Sequence, residues 1–151
     1  MPANLSRRHF LQVLAASAAT SAVALEACSG NSGAGDPEPF GDVSAGSVSA
    51  IQVDTVRSIP NAPAFIGRDG NGLYAMTSTC THAGCDMKSG ATSSTNIVCV
   101  CHGSQFDLVG NVQQGPANKP LAHFAVELAA DGTITVHGGT QVDPSRRTPV
   151  S

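Results

Sequence analysis

CTHAGC at residues 80–85 and CVCHGS at residues 99–104 carry four cysteines and two histidines between them. Six thiol and imidazole groups exceed the four positions of one tetrahedral ion. Taken in order, Cys80-x-His82 is followed by sixteen residues and then by Cys99-x-x-His102. Each segment thus offers one sulfur and one nitrogen, and Cys85 and Cys101 are left over. A structural zinc site is one reading, since two cysteines and two histidines are a common zinc set. Its usual spacings place two or more residues between paired ligands, so Cys-x-His is tight, and Cys85 and Cys101 have no task. Two disulfides with incidental histidines are another reading. That one leaves unexplained why both segments contain a histidine.

Outward from these segments the chain reads as short apolar runs between turn signals. VSAIQV (48–53), PAFIGR (63–68), LYAMTS (73–78), NIVCV (96–100), HFAVEL (123–128) and TITVH (133–137) are expected as strands. DGNG (69–72) and ADGT (130–133) are expected as hairpin turns. Nothing past residue 28 has a helical period, and no repeat is visible. Charged residues are only 13% of the chain, aromatics 4%, and Gly and Pro number 16 and 9. That composition suits a loop-rich β domain with a modest core. The expected fold is all-β, a small antiparallel sandwich or barrel over residues 46–140, with the two cysteine segments as loops between strands. Residues 141–151 are expected as a loose C-terminal tail. The net charge is −3 and no basic stripe interleaves with aromatics, so nucleic acid is not an expected partner.

The first 27 residues differ in kind. SRRHFLQ (6–12) opens a stretch with no charged residue between Arg8 and Glu26. This is a basic segment followed by a weakly apolar one. Arg7, Arg8, Phe10 and Leu11 resemble the twin-arginine export signature, which serves proteins that fold, often around a cofactor, before crossing a membrane. LEAC (25–28) resembles a lipobox, which would make Cys28 the lipidated N-terminus, although Glu26 stands where a small or apolar residue is usual. Residues 28–45, with SGNSGAGDPEPFG following Cys28, read as a flexible tether. Two rivals are an uncleaved membrane anchor and cleavage near Ala24 or Ala27. All three place the body of the chain outside the cytoplasm, in the periplasm or cell envelope, where disulfides persist.

Together the two segments resemble the signature of the Rieske iron–sulfur family, Cys-x-His-x-Gly-Cys and then Cys-x-Cys-His-x-Ser, matched here without a gap. The resemblance implies a [2Fe–2S] cluster with cysteine on one iron and histidine on the other. By position, Cys80 and Cys99 would bind the inner iron, and His82 and His102 the outer. Cys85 and Cys101 would form the disulfide that joins the loops. Neutral imidazoles in place of two thiolates remove negative charge, so the potential should exceed that of an all-cysteine cluster. A disulfide spanning sixteen positions is worth roughly 3 kcal/mol in chain entropy.

The resemblance also places a hydroxyl donor to a cluster sulfur at Ser104. Two residues on, high-potential respiratory members have a tyrosine that bonds a cysteine sulfur, and here the residue is Phe106. Ala83 replaces a shielding leucine. The potential is therefore expected below that of the respiratory type. The intact cysteine pair points away from the dioxygenase ferredoxin branch. GNVQQGPANKP (110–120) resembles the proline-containing third loop that covers the cluster. His123 and His137 are expected as surface or packing residues, Met76 and Met87 as filler, and Asp86 with Lys88 as a solvated pair. No nucleophile–base pair, phosphate loop or mononuclear iron site stands out. The expected function is an exported one-electron carrier, or a small electron-transfer subunit of a periplasmic oxidoreductase, with a redox protein as donor and another as acceptor. Its exposed histidines would be the port. A Rieske subunit of a quinol-oxidising cytochrome bc complex is the first alternative. A metal-stapled binding module without redox work is the second.

Overall fold

A computed structural model describes residues 37–150, Ala91 excepted. The twin-arginine segment and Cys28 lie outside the described residues. Among the described residues nine strands follow in chain order: β1 (Asp42–Ser47), β2 (Thr55–Ser58), β3 (Ala64–Asp69), β4 (Gly72–Thr77), β5 (Asn96–Val98), β6 (Gln105–Asp107), β7 (Val112–Gln114), β8 (His123–Leu128) and β9 (Thr133–Val142). Six of them form one antiparallel sheet in the order β1-β9-β8-β4-β3-β2, and β5-β6-β7 form a second. Two single turns of 3-10 helix, Val48–Ala50 and Met87–Ser89, interrupt the strands. Among the described residues no helix is long and apolar enough to cross a membrane. The all-β expectation holds.

The DGNG turn shows how the local sequence builds the sheet. The Asp69 carboxylate accepts the N–H groups of Asn71 (2.9 Å) and Gly72 (3.1 Å), turning the chain back on itself. The β3–β4 hairpin that results is buried on both faces, so its strands are apolar almost throughout rather than alternating. Ala64, Ile66, Leu73 and Ala75 point into one core with Phe124, Ile134 and Val136. Phe65, Tyr74 and Met76 point the other way, into a second core with Met87, Ile97, Phe106, Leu121, Cys80 and Cys99. The second core is the floor on which the two cysteine loops stand.

Several expected boundaries differ. Residues 48–53 are not a strand. The Ser47 hydroxyl accepts the Ser49 N–H and starts a 3-10 turn, while the strand lies earlier, at Asp42–Ser47. Ile51 is buried as a plug of the first core. Pairing of β1 with β9 begins at Asp42↔His137, and β9 runs to Val142, so strands cross both edges of the expected 46–140 domain. The C-terminal segment is pinned. Thr148 and Leu73 exchange both backbone hydrogen bonds, at 2.8 and 2.9 Å. Arg147 bonds Asp69 at 2.6 Å and lies 4.4 Å from the centre of the Tyr74 ring. Short polar strands β2, β6 and β7 have no apolar run to announce them and were not expected.

Candidate metal centre

Each cysteine loop is closed by the same pair of backbone hydrogen bonds. In the first, Cys80 N–H donates to Cys85 O (2.8 Å) and Gly84 N–H to Cys80 O (2.9 Å). In the second, Cys99 N–H donates to Ser104 O (2.8 Å) and Gly103 N–H to Cys99 O (2.9 Å). The fifth residue of each loop must therefore turn through the left-handed region, and both are glycine, with φ of 75° at Gly84 and 78° at Gly103. A Cβ at either would meet nothing within 4 Å, so backbone conformation, not space, demands the glycine. The shared frame exposes an offset. His82 is third in its loop and His102 fourth in its own, and the third place of the second loop holds Cys101.

The structure brings the expected residues to one place. Cys85 and Cys101 form a disulfide that bridges the loops, with Cα atoms 6.6 Å apart. Cys80 and Cys99 are free thiols, each only 1% exposed at the loop bases. Burial pushes the Cys80 thiol up in pKa, and Cys99 beside it adds to this. Hydrogen bonds from the His82 backbone and the Ser104 hydroxyl pull the other way. Above the thiols the His82 and His102 rings meet edge to face, with centroids 4.8 Å apart. His102 is exposed and His82 half-buried. His82 Nδ1 is buried with no hydrogen-bond partner in the protein.

That orphaned nitrogen tests whether a metal group fits. An unsatisfied buried polar atom costs about 1–3 kcal/mol, which a bond to a metal removes. Two buried thiols behind and two imidazoles in front make a mixed sulfur–nitrogen donor set, as a [2Fe–2S] centre of this ligation needs. The residues present fit the group. A different trio, the sulfurs of Cys85, Cys99 and Cys101, lies within 4.8 Å of one another. Two of those sulfurs are already joined, so the trio is not a ligand set.

The third loop is tied to both cysteine loops through hydroxyls. Thr81 Oγ1 donates to Lys119 O at 2.7 Å, and Ala117 N–H donates to Ser104 Oγ at 3.0 Å. Thr81 is a contributor that sequence reading missed, because a threonine next to a candidate ligand carries no signal of its own. Phe106 is fully buried in the core that contains Cys80 and Cys99. Ala83 is exposed, and Val100, between Cys99 and Cys101, is 62% exposed. Asp86 caps the 3-10 turn through the Lys88 N–H, and Lys88 Nζ reaches Ala62 O at 2.9 Å. Met76 and Met87 are buried filler. His123, fully buried and lowered in pKa by burial, contacts Val109 O at 3.0 Å and stacks on Tyr74. His137 sits between Asp42 (3.0 Å) and Glu127 (3.3 Å).

Comparison with known proteins agrees with this geometry. The pattern of the Rieske [2Fe-2S] domain matches residues 41–125, more than half of the chain. The cytochrome b6-f complex iron-sulfur subunit 1 of the Cyanophora paradoxa cyanelle is 39% identical over 70 residues, 46% of this chain and 29% of that protein. The cytochrome b6-f complex iron-sulfur subunit of Synechococcus sp. (strain CC9605) is 36% identical over 93 residues, 58% of this chain and 50% of that one. The chain thus spans half or less of the length of these two relatives. Among solved structures, the plasma membrane Rieske protein PetC3 from Synechocystis PCC 6803 superposes with a TM-score of 0.50 at 28% identity, covering 62% of this chain and 97% of that one. A chain from the complex of reduced oxygenase and oxidized ferredoxin in carbazole 1,9a-dioxygenase gives 0.51 at 28% identity, covering 68% and 97%. Loops, buried thiols, paired imidazoles and matched pattern lead to one assignment: this chain belongs to the Rieske [2Fe-2S] domain family, whose cofactor is a [2Fe–2S] cluster.

Proposed function

We propose that the protein is a one-electron carrier of the cell envelope, in which Cys80 and Cys99 hold one iron and His82 and His102 the other. The observation that carries this reading is the pairing of two buried free thiols with a buried, partnerless His82 Nδ1. When bound, the [2Fe–2S] cluster supplies a site that takes up and gives back a single electron. The chain sets the terms. Cys80 and Cys99 bring thiolate charge from the dry side, where the second core excludes water. His82 and His102 bring neutral nitrogen from the wet side, so the exposed His102 edge is the port to a partner. The Ser104 hydroxyl, held in place by the Ala117 N–H, donates toward Cys80 sulfur and favours the more negative, reduced state. Phe106 has no hydroxyl to add a second such bond. Together these features support a potential below that of members with tyrosine at this place.

The twin-arginine segment supports export after folding, and Cys28 supports a lipid tether. With both, the protein would be a tethered carrier, or the small electron-transfer subunit of a larger periplasmic oxidoreductase. Its donor and acceptor would be redox proteins. The Cys85–Cys101 disulfide favours an oxidising compartment and stands apart from the dioxygenase ferredoxin branch. A second reading, a Rieske subunit of a quinol-oxidising cytochrome bc complex, is favoured by relatives named as cytochrome b6-f subunits. The deciding experiment has two parts. EPR of the dithionite-reduced protein, with iron analysis and a redox titration, is expected to show a low average g-value from mixed Cys/His ligation. A colourless, iron-free protein after anaerobic preparation would leave only the metal-stapled binding module. Mass spectrometry of the mature N-terminus then separates the two carriers. A lipidated Cys28 supports the tether, and an uncut terminus supports the bc subunit.

A further inference from the structure

Cys99 faces two chemistries. Its thiol lies beside Cys80, and its sulfur is also within 4.8 Å of both sulfurs of the Cys85–Cys101 disulfide. A free thiol next to a disulfide is a nucleophile next to its electrophile. We propose that Cys99 is a built-in exchange thiol, and that holding it as a cluster ligand is what keeps the Cys85–Cys101 bridge in its native pairing. The inference rests on the ligand assignment above and extends it to the state without a cluster.

The step is internally balanced. Cys99 sulfur, as thiolate, attacks Cys85 sulfur. The Cys85–Cys99 bond forms as the Cys85–Cys101 bond breaks, and the electron pair leaves on Cys101 sulfur. Cys101 takes up the proton that Cys99 released. One disulfide replaces another, two free thiols remain, and no oxidant or reductant is consumed.

Attack at Cys85 is favoured on two grounds. Attack at Cys101 would close a ring over the single intervening residue Val100, against the separation that disulfide geometry prefers. Cys101 is also exposed while Cys85 is half-buried, so water stabilises the leaving thiolate on Cys101. The product still joins the two loops, so the fold tolerates it. It has nonetheless consumed one of the four ligands. Loss of the cluster thus becomes self-locking. Assembly has a required order as well: the cluster must occupy Cys99 before, or as, the loops are bridged. A chain bridged first would lose a ligand before iron arrived.

The test uses the full-length protein. Holoprotein is stripped of iron with a chelator under anaerobic conditions, without added thiol or oxidant. Samples are quenched in acid over time and alkylated. Fragment sequencing of the peptide bearing Cys99 and Cys101 then shows which of them carries the label. The expected result is that Cys80 and Cys99 are labelled at time zero and Cys80 and Cys101 later, with two labelled thiols among Cys80, Cys85, Cys99 and Cys101 throughout. Persistence of the Cys85–Cys101 bridge throughout incubation overturns the exchange. So does a fall to zero labelled thiols among these four, which is oxidation instead. The ligand assignment fails separately: full iron content in Cys99→Ser would remove it, whatever the map shows.

Discussion

Ser104→Ala removes a side chain that bonds the third loop and lies beside a candidate ligand sulfur. The hydroxyl is fully buried, accepts the Ala117 N–H at 3.0 Å, and lies beside the Cys80 thiol, whose pKa it pulls down. Donation to a sulfur is stronger when the centre is reduced and more negative, so losing it lowers the potential. A hydrogen bond to a charged group contributes about 1.5 kcal/mol. Taking most of that as the difference between oxidation states gives a fall of about 60 mV for a one-electron couple. The same change strands the Ala117 N–H in a buried place, for a further loss of about 1–3 kcal/mol of stability. The assay is a mediated titration followed by EPR, with urea unfolding of the same preparation. Ser104→Thr should recover most of the potential. A midpoint in Ser104→Ala within about 10 mV of the parent, against the 60 mV worked from the bond energy, would refute the assignment of this hydroxyl as a tuning donor.

Phe106→Tyr should raise the midpoint by roughly 40 mV, the equivalent of about 1 kcal/mol, if the new hydroxyl bonds a cysteine sulfur; an equal or lower value would discredit that account. Arg147→Ala should cost about 1–2 kcal/mol by urea unfolding, because it breaks a half-buried charge-assisted bond to Asp69 and uncovers the Tyr74 ring. Burial raises the Asp69 carboxyl, but Arg147 and the Asn71 and Gly72 N–H groups outweigh it and hold its pKa below 3.8. A depressed carboxylate contributes stability that is present above 3.8 and lost as pH falls through the lower folded value. The parent should therefore lose stability more steeply than Arg147→Ala below 3.8, and parallel acid limbs would contradict this. His137 is raised above 6.5, first by its bond to Asp42. Its contribution is present below 6.5 and lost as pH rises through the folded value. His137→Gln should flatten the stability profile across that window, and an unchanged profile would exclude a contribution from the His137 pairing with Asp42 and Glu127.

Reading the chain alone worked where one residue type has one physical use. Two thiol-and-imidazole segments at fixed spacing announce a metal centre, because few other arrangements need sulfur and nitrogen so closely set. Alternating or continuous apolar runs revealed β3, β4, β8 and β9, whose side chains fill the two cores. DGNG revealed its hairpin through the turn chemistry of Asp69. Strands β2, β6 and β7 stayed hidden. They are short, and apart from the buried Phe106 their residues are half-buried or exposed, so backbone pairing rather than an apolar run makes them strands. VSAIQV misled because Ser47 and Ser49 prefer a local hydroxyl bond, and Ile51 is buried without being in a strand. The tail misled because a polar sequence can dock through one arginine and one threonine. Only the tertiary structure decided which hydroxyls hold the third loop, that Thr81 is one of them, and that Cys99 lies within reach of the disulfide. Local chemistry can be read from spacing along the chain. Contacts such as Thr81 with Lys119 join residues far apart in sequence, and packing alone brings them together.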